Sequence, residues 1–297
     1  MLLNRYDRLV FLGDSNADNG NVFAMTKQTR PLPRHVYMDG RYSNGKMWVD
    51  HLNDFATTSE TIMLAYGCAT IDNDIVAGTV PMPDGTRKEV PSLTEQVTRL
   101  HTQFGKLRSD DLVFVFVGSN DLNSLIDKGP TYITKQTFTP EILATRLRNA
   151  VRELCQRGGA RNVILMNIRP REDYPSVLAL NSPETTLLTR QVTAALNMAI
   201  GKEIAELQME LGGEYMVDIF DTYSFQKRVT QDPAAFGIDP DVQTPSYNVA
   251  AVQGQRATDL VNPDSSLFLD GAHMAKRAHA LLAAEVIRHI ALSLATR

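Results

Sequence analysis

Four short segments of the 297-residue chain combine residue types that could carry out acyl transfer. A hydroxyl that attacks a carbonyl carbon needs a base to remove its proton and donors to hold the oxyanion that forms. Together the four segments supply a hydroxyl, an imidazole, a carboxylate and several N–H donors. They are Gly13–Ser15, Gly67–Cys68, Gly118–Asp121 and Asp270–His273.

Ser15 and His273 are the candidate nucleophile and general base. A serine hydroxyl is a weak nucleophile until a base takes its proton, and an imidazole titrates near neutral pH. Asp270 lies three residues before His273. That spacing can bring a carboxylate to the imidazole within one turn and fix its tautomer and orientation. We therefore predict a catalytic triad of Ser15, His273 and Asp270.

Three donors are predicted to hold the oxyanion. They are the backbone N–H of Ser15, a backbone N–H of either Gly67 or Cys68, and the side-chain amide of Asn120. The residues alone leave the choice between Gly67 and Cys68 open. The Cys68 thiol is a second candidate nucleophile, but a buried thiol is usually a small, inert apolar group.

Each motif taken alone has an ordinary structural explanation. Gly-Asp-Ser and Gly-x-Asn-Asp are common in turns, and Asp-x-x-His is a frequent helix start. The functional hypothesis rests on their joint occurrence in this order, each at the end of a predicted strand or the start of a predicted helix.

Alternating apolar runs and amphipathic segments predict an α/β fold with a parallel sheet of about five strands. In such sheets, ligands bind beyond the carboxyl ends of the strands, where Ser15, Gly67 and Asn120 lie. Capping signals and apolar spacing predict helices over about 93–104, 140–157, 183–211 and 272–292. The predicted strands are Leu9–Leu12, Thr61–Tyr66, Leu112–Val117, Val163–Met166 and Tyr215–Ile219.

We predict a single domain over residues 1–297, because no linker rich in Gly, Pro or Ser divides the pattern and no internal repeat is present. Two stretches, about 16–60 and 222–268, have little periodicity and are predicted to be long loops. Loops of that length in a compact domain are commonly functional.

The composition indicates an ordinary globular protein, with 43% hydrophobic and 22% charged residues. A formal net charge of -4 offers no general attraction to nucleic acid, so no nucleic-acid partner is expected. Two cysteines are too few for a disulfide framework, and no His or Cys spacing indicates a metal site. The N-terminus has no signal-peptide pattern, and no stretch reaches the ~20 apolar residues of a membrane span. We expect a cytoplasmic protein without an integral membrane span, of undefined oligomeric state.

The chain resembles the GDSL, or SGNH, family of esterases and lipases over nearly its whole length, from about residue 7 to about residue 290. One matching segment is similar to a stretch found in the larger fungal, plant and bacterial members. The matching segments are Phe11–Asn21, Gly40–Gly45 with Trp48, Ala65–Thr70, Val117–Asp121 and Asp270–His273.

This resemblance implies a flavodoxin-like three-layer α/β/α fold, the SGNH hydrolase fold. It also implies ester hydrolysis without a metal or cofactor, and the roles already given to Ser15, Asn120, Asp270 and His273. One position departs from the family pattern. Where the family usually has the oxyanion-hole glycine, this chain has Cys68, with Gly67 before it.

The predicted site fits several substrates, namely a small-molecule, lipid or carbohydrate ester. A phospholipase, a carbohydrate O-acetylesterase or an acyltransferase would use the same residues as a simple esterase. A non-catalytic binding module on the same fold is an alternative from another class, which the complete residue set disfavours. An unrelated flavodoxin-like binding protein would place Ser15 far from His273.

Overall fold

The architecture is that of a computed structural model, which describes residues 2–56, 60–127, 139–247 and 260–295. Its strands in chain order are β1 (Arg8–Gly13), β2 (Glu60–Met63), β3 (Thr79–Pro81), β4 (Arg87–Glu89), β5 (Asp111–Phe116), β6 (Asn162–Met166) and β7 (Met216–Phe220). Five of them form a sheet in the order β2-β1-β5-β6-β7, in which every neighbouring pair is parallel. The predicted five-stranded parallel sheet is confirmed. β3 and β4 form a small antiparallel hairpin that was not predicted.

All four predicted helices are present, together with helices that the sequence pattern did not reveal. The helices are α1 (Asn21–Met25), α2 (Trp48–Phe55), α3 (Leu93–Phe104), α4 (Ser119–Asp127), α5 (Pro140–Gln156), α6 (Pro175–Leu178), α7 (Pro183–Leu211), α8 (Thr222–Gln231) and α9 (Lys276–Ala295). The last helix begins at Lys276 instead of 272, because Phe268 and Met274 pair as an antiparallel bridge just before it. The Lys276 N–H then donates to Asn44 Oδ1 at 2.8 Å.

The two faces of the sheet are covered by different helices, which gives the three layers. Because side chains alternate along a strand, neighbouring residues of β1 enter opposite cores. Val10 and Leu12 pack with residues of α3, α5 and α7, whereas Leu9 and Phe11 pack with residues of α2, α8 and α9. The interior strands β1 and β5 are buried on both sides along their whole length, as continuous apolar runs predict.

The second strand is shorter than predicted. The sequence predicts Thr61–Tyr66, but β2 ends at Met63. The chain nevertheless continues along β1, since the N–H groups of Leu64 and Tyr66 donate to the carbonyls of Phe11 and Gly13. The Asn21 side chain covers the outer edge of this stretch by donating to the carbonyls of Met63 and Ala65.

The two stretches predicted as long loops contain helices. Residues 16–60 include α1 and α2, and 222–268 begins with α8. Residues 57–59 and 248–259 of these stretches lie outside the described residues. α2 lacks a long apolar repeat, and its buried face consists of Trp48, Val49 and Leu52. The single-domain organisation stays a prediction.

Among the described residues, α9 is the one helix long and apolar enough to cross a membrane by length and composition. The sequence analysis predicted no stretch of this length and apolar composition, so this helix differs from that prediction. Its buried residues Ala278, Leu282, Val286 and Ile290 belong to the core on the α2 side of the sheet. A core helix that packs on a sheet passes the same test of length and composition, so the helix is weak evidence for a membrane span.

The sheet order places a topological switch point at the carboxyl ends of β1 and β5. The chain steps from β1 outward to β2, and later returns to the other side of β1 with β5. Loops that leave these two strands therefore diverge and open a crevice between them. Ser15 follows β1 and Asn120 follows β5.

Candidate active site

Ser15, His273 and Asp270 form one hydrogen-bonded line. Ser15 Oγ lies 3.0 Å from His273 Nε2, and His273 Nδ1 lies 2.7 Å from Asp270 Oδ2. Ser15 is 9% exposed and Asp270 5%, whereas His273 is half-buried. The structure therefore brings together the three residues that the sequence analysis selected, in the order that nucleophilic catalysis requires.

The Asp270 carboxylate accepts four hydrogen bonds. Oδ1 accepts the backbone N–H groups of Ala272 and His273, and Oδ2 accepts His273 Nδ1 and the Tyr37 hydroxyl. Burial opposes ionisation of this carboxyl, but the charge and hydrogen bonds of His273, with that of Tyr37, outweigh it and lower the pKa of Asp270. The carboxylate is thus ionised and fixed beside the imidazole.

The turn that carries Ser15 is held by contacts on both sides. Gly13 lies so close to β5 that an added Cβ would be 2.0 Å from the Phe116 carbonyl oxygen, which only glycine permits. The buried Gln96 side chain accepts from the Gly13 N–H and donates to its carbonyl. Beyond Ser15, the Trp48 indole donates to the Asn16 carbonyl at 2.8 Å. These contacts fix the backbone of the candidate nucleophile.

Backbone donors lie free at the candidate oxyanion hole. Within the part of the chain that the structure describes, neither the Ser15 nor the Cys68 backbone N–H donates to a protein acceptor. The Gly67 N–H, by contrast, donates to Asp18 Oδ2 at 2.7 Å. The Asn120 side chain donates one N–H to the Ala69 carbonyl at 2.8 Å and has a second N–H to offer.

Cys68 adopts a backbone conformation that favours glycine, with φ 67. Cys68 is half-buried, and its thiol forms no disulfide. Burial raises the pKa of the Cys68 thiol, so the reactive thiolate is disfavoured at neutral pH. Gly67 lies against the Tyr42 hydroxyl, 2.3 Å from the position of an added Cβ, which explains a glycine there.

Asp18 is fully buried and gathers four backbone donors. Oδ1 accepts the N–H groups of Gly20 and Asn21, and Oδ2 accepts those of Val22 and Gly67. It therefore links the first motif to the second across 49 residues of sequence. Sequence reasoning missed this role; the only signal was the Asp-x-Gly-Asn pattern of residues 18–21.

Two further buried carboxyl groups flank the candidate residues. Burial raises the pKa of Asp14 to about 6, although the Asn16 backbone and side-chain donors oppose it. Burial likewise raises the pKa of Asp121 to about 7, against the lowering effect of the Ile71 N–H. Asp121 accepts that N–H at 3.2 Å and so ties the third motif to the second. Both carboxyls accept backbone N–H groups from neighbouring loops.

A buried arginine that sequence reasoning missed joins the nucleophile side to the base side. Arg169 is 2% exposed, and its Nη1 donates to Asn16 Oδ1 and to the Ala272 carbonyl, both at 3.2 Å. These acceptors come directly after Ser15 and directly before His273. Arg169 Nε donates to Gln226 at 2.8 Å. No sequence motif marks this residue.

The described residues contain no group of three or more His, Cys, Asp or Glu side chains that could hold a metal ion. Hydrogen bonds join Ser15, His273 and Asp270, and the Asn120 side chain bonds the Ala69 carbonyl, one residue after Cys68. Ser15 follows β1 and Asn120 lies in the first turn of α4, whereas Asp270 and His273 lie in the loop before α9.

Comparisons with known proteins agree with this architecture. A family model described as GDSL-like lipase/acylhydrolase matches residues 9–286. A phosphatidylcholine-sterol acyltransferase from Aeromonas hydrophila is 25% identical over 88% of this chain and 72% of its own length. An acetylesterase from Thermothelomyces thermophilus is 25% identical over 69% of this chain and 67% of its own. Among solved structures, an α/β-hydrolase enzyme from the metagenome of Lake Arreo, Spain, superimposes with a TM-score of 0.52. The superposition covers 96% of this chain and 95% of that enzyme at 14% sequence identity. The similarity is therefore one of fold.

Proposed function

The chain belongs to the GDSL-like lipase/acylhydrolase family, and on that premise we propose that it hydrolyses carboxylic esters through an acyl-enzyme on Ser15. The observation that carries the proposal is the continuous line of Ser15 Oγ, His273 Nε2 and His273 Nδ1 to Asp270, with separations of 3.0 and 2.7 Å. Such a line lets the imidazole remove the serine proton while the carboxylate stabilises the imidazolium.

In the first half of the reaction, His273 Nε2 takes the Ser15 proton as Ser15 Oγ bonds to the ester carbonyl carbon. The tetrahedral intermediate collapses, the bond to the alcohol oxygen breaks, and His273 gives its proton to that leaving oxygen. In the second half, His273 takes a proton from water, whose oxygen attacks the acyl carbon. Ser15 leaves with the proton, and the carboxylic acid is released.

The oxyanion is held in this mechanism by the Ser15 N–H, the Cys68 N–H and the Asn120 amide. Cys68 is preferred to Gly67 because the Gly67 N–H already donates to Asp18, whereas that of Cys68 has no protein acceptor among the described residues. A backbone donor does not depend on its side chain, so the cysteine can replace the usual glycine. Its left-handed φ preserves the backbone shape that a glycine would give.

Hydrolysis of p-nitrophenyl esters, from acetyl to long acyl chains, tests the proposal in the wild type and in Ser15→Ala. We expect turnover in the wild type and a loss of at least about ten-thousandfold in the variant. A fluorophosphonate should add its mass to Ser15 in the wild type. Ser43→Ala removes a buried hydroxyl that bonds no partner among the described residues, so it is the matched control and should keep its activity. Equal turnover in Ser15→Ala would remove this serine from the mechanism.

Acyl transfer to an alcohol is a second candidate function, because the relative from Aeromonas hydrophila is named an acyltransferase. An acyl-enzyme reacts with any nucleophile that reaches it, and an alcohol competes with water. Adding glycerol, a long-chain alcohol or a sterol to the assay and measuring the ratio of new ester to free acid distinguishes the two. A ratio above that expected from the acceptor concentration identifies a transferase. The acyl-chain profile in turn separates acetylesterase from lipase or phospholipase activity.

A further inference from the structure

We propose that Tyr37 is a positioning residue of this site, whose hydroxyl sets the orientation and charge of Asp270 and thereby the base strength of His273. The inference rests on the proposed function, and it concerns a residue outside all the motifs that the sequence analysis selected. Tyr37 lies 233 residues before Asp270, in the segment between α1 and α2.

The contact itself is short and buried. Tyr37 Oη donates to Asp270 Oδ2 at 2.5 Å, and Tyr37 is 6% exposed. The acceptor is the same carboxylate oxygen that faces His273 Nδ1 at 2.7 Å. Hydrogen bonds to an ionised acceptor are shorter and stronger than neutral ones, and out of water they are strengthened further. Tyr37 and His273 therefore bond the same oxygen, Asp270 Oδ2. A change in the Tyr37 hydrogen bond alters the negative charge on that oxygen that His273 Nδ1 faces.

The hydroxyl is a permanent donor in this position. Burial, followed by the negative charge of Asp270 and the hydrogen bond to it, raises the pKa of Tyr37 above its ordinary value. The phenol therefore keeps its proton throughout the range in which an imidazole titrates. It draws charge from Asp270 Oδ2 without competing for the role of base.

Packing holds the ring where the hydroxyl needs it. Tyr37 belongs to a buried cluster with Val36, Tyr247, Leu269 and Ala275, which flanks the Asp270–His273 segment. The Tyr37 ring also meets Tyr42 at 6.3 Å between centroids, and the Tyr42 ring lies 4.9 Å from that of His273. The segment before α2 thus contacts Asp270 through a hydrogen bond and His273 through an aromatic side chain.

Removal of the Tyr37 hydroxyl is expected to shift the pH dependence of activity in one direction. Without it, Asp270 Oδ2 carries more of its negative charge toward His273, so the imidazolium gives up its proton less readily. The acid limb of the kcat/KM–pH profile should move to higher pH in Tyr37→Phe, by about half a unit. Loss of a charge-assisted hydrogen bond should also lower kcat by about tenfold, with little change in KM.

Tyr247→Phe is the matched control. It removes a hydroxyl from the same buried cluster, and this hydroxyl makes no hydrogen bond to Asp270 among the described residues. The pH profiles of wild type, Tyr37→Phe and Tyr247→Phe are measured with p-nitrophenyl acetate, and thermal unfolding checks that all three are folded. The proton resonance of His273 Nδ1–H, followed by NMR without substrate, should shift in Tyr37→Phe alone.

The outcomes separate this inference from the proposed function. If Ser15→Ala is inactive and only Tyr37→Phe moves the acid limb and the imidazole resonance, Tyr37 positions Asp270 as we infer. If Ser15→Ala is inactive but the profile of Tyr37→Phe coincides with the wild type, or both tyrosine variants move it equally, the inference is wrong while the proposed function stands. If Ser15→Ala is fully active, the proposed function fails first.

Discussion

Replacement of Asp18 by asparagine tests whether the second motif must be held in place for oxyanion stabilisation. Asp18 is fully buried and accepts four backbone N–H groups, two at each carboxylate oxygen. Asparagine has almost the same shape but presents an NH2 group in place of one oxygen. Two backbone donors then face another donor, whichever way the amide is turned.

The expected losses of stability and of kcat in Asp18→Asn follow from those contacts. A buried donor left without an acceptor costs about 1–3 kcal/mol, so two of them predict a loss of about 2–6 kcal/mol in the free energy of unfolding. If the amide group faces Gly67, the chain at Gly67–Cys68 loses its anchor. Misplacement of one oxyanion donor lowers kcat by a hundredfold to a thousandfold, and we expect about a hundredfold with KM nearly unchanged.

The assay compares Asp18→Asn with Asp72→Asn, using p-nitrophenyl acetate for kcat and KM and urea for the free energy of unfolding. Asp72 follows the same motif, and it accepts the Asp74 N–H and pairs with Arg146 at 3.4 Å. It serves as the control because the Gly67 N–H donates to Asp18 and not to Asp72. A folded Asp18→Asn protein with kcat within twofold of the wild type would refute the reasoning, as would an equal loss of kcat in Asp72→Asn.

Three other predictions concern single residues around the site. Burial, and next the charge of Arg169, lower the pKa of His279 to about 3, whereas an unfolded histidine titrates near 6.5. Its contribution to stability is therefore complete above pH ~6.5 and falls by about 1.4 kcal/mol per pH unit below it. His279→Gln should reduce the loss of unfolding free energy between pH 7 and 5, measured in urea, and an unchanged loss would contradict this. Cys68→Gly should keep kcat within about threefold, because the backbone N–H remains and a φ of 67 suits glycine; a larger fall would implicate the thiol. Trp48→Phe should cost about 3 kcal/mol in thermal or urea unfolding, through a cavity and the lost bond to the Asn16 carbonyl; a cost below ~1 kcal/mol would show that the indole is replaceable.

The fold was predictable where the signal is local. β5 is an unbroken β-branched and aromatic run, and its observed bounds Asp111–Phe116 differ from the prediction by one residue at each end. α5 begins at Pro140 behind a Thr139 side chain that accepts the Ile142 N–H, as the capping signal predicts. α8 was not predicted, because its buried face has only Phe225 and Val229 as large apolar residues. Its helical conformation therefore depends on packing against the sheet more than on a local apolar pattern.

The candidate site was predictable in its reacting groups but not in their support. Ser15, Asn120 and His273 stand in short motifs whose chemistry can be inferred from residue type. Tyr37, Gln96 and Arg169 act through partners 233, 83 and 103 residues away in the sequence, as the bonds to Asp270, Gly13 and Ala272 show. Only tertiary packing brings such pairs together, so no local sequence pattern predicts them. The same holds for the Gly67 N–H, whose partner Asp18 made Cys68 the preferred donor.

The separation of Ser15 from His273 by 258 residues has a consequence for biosynthesis. A ribosome translates Ser15 long before the base that activates it, and the two meet only after the strands and helices between them have been made. Under the proposed mechanism, the growing chain has no activated serine for most of its synthesis. Under that mechanism, activation of Ser15 has to wait until the segment that carries Asp270 and His273 has been made and has folded beside it.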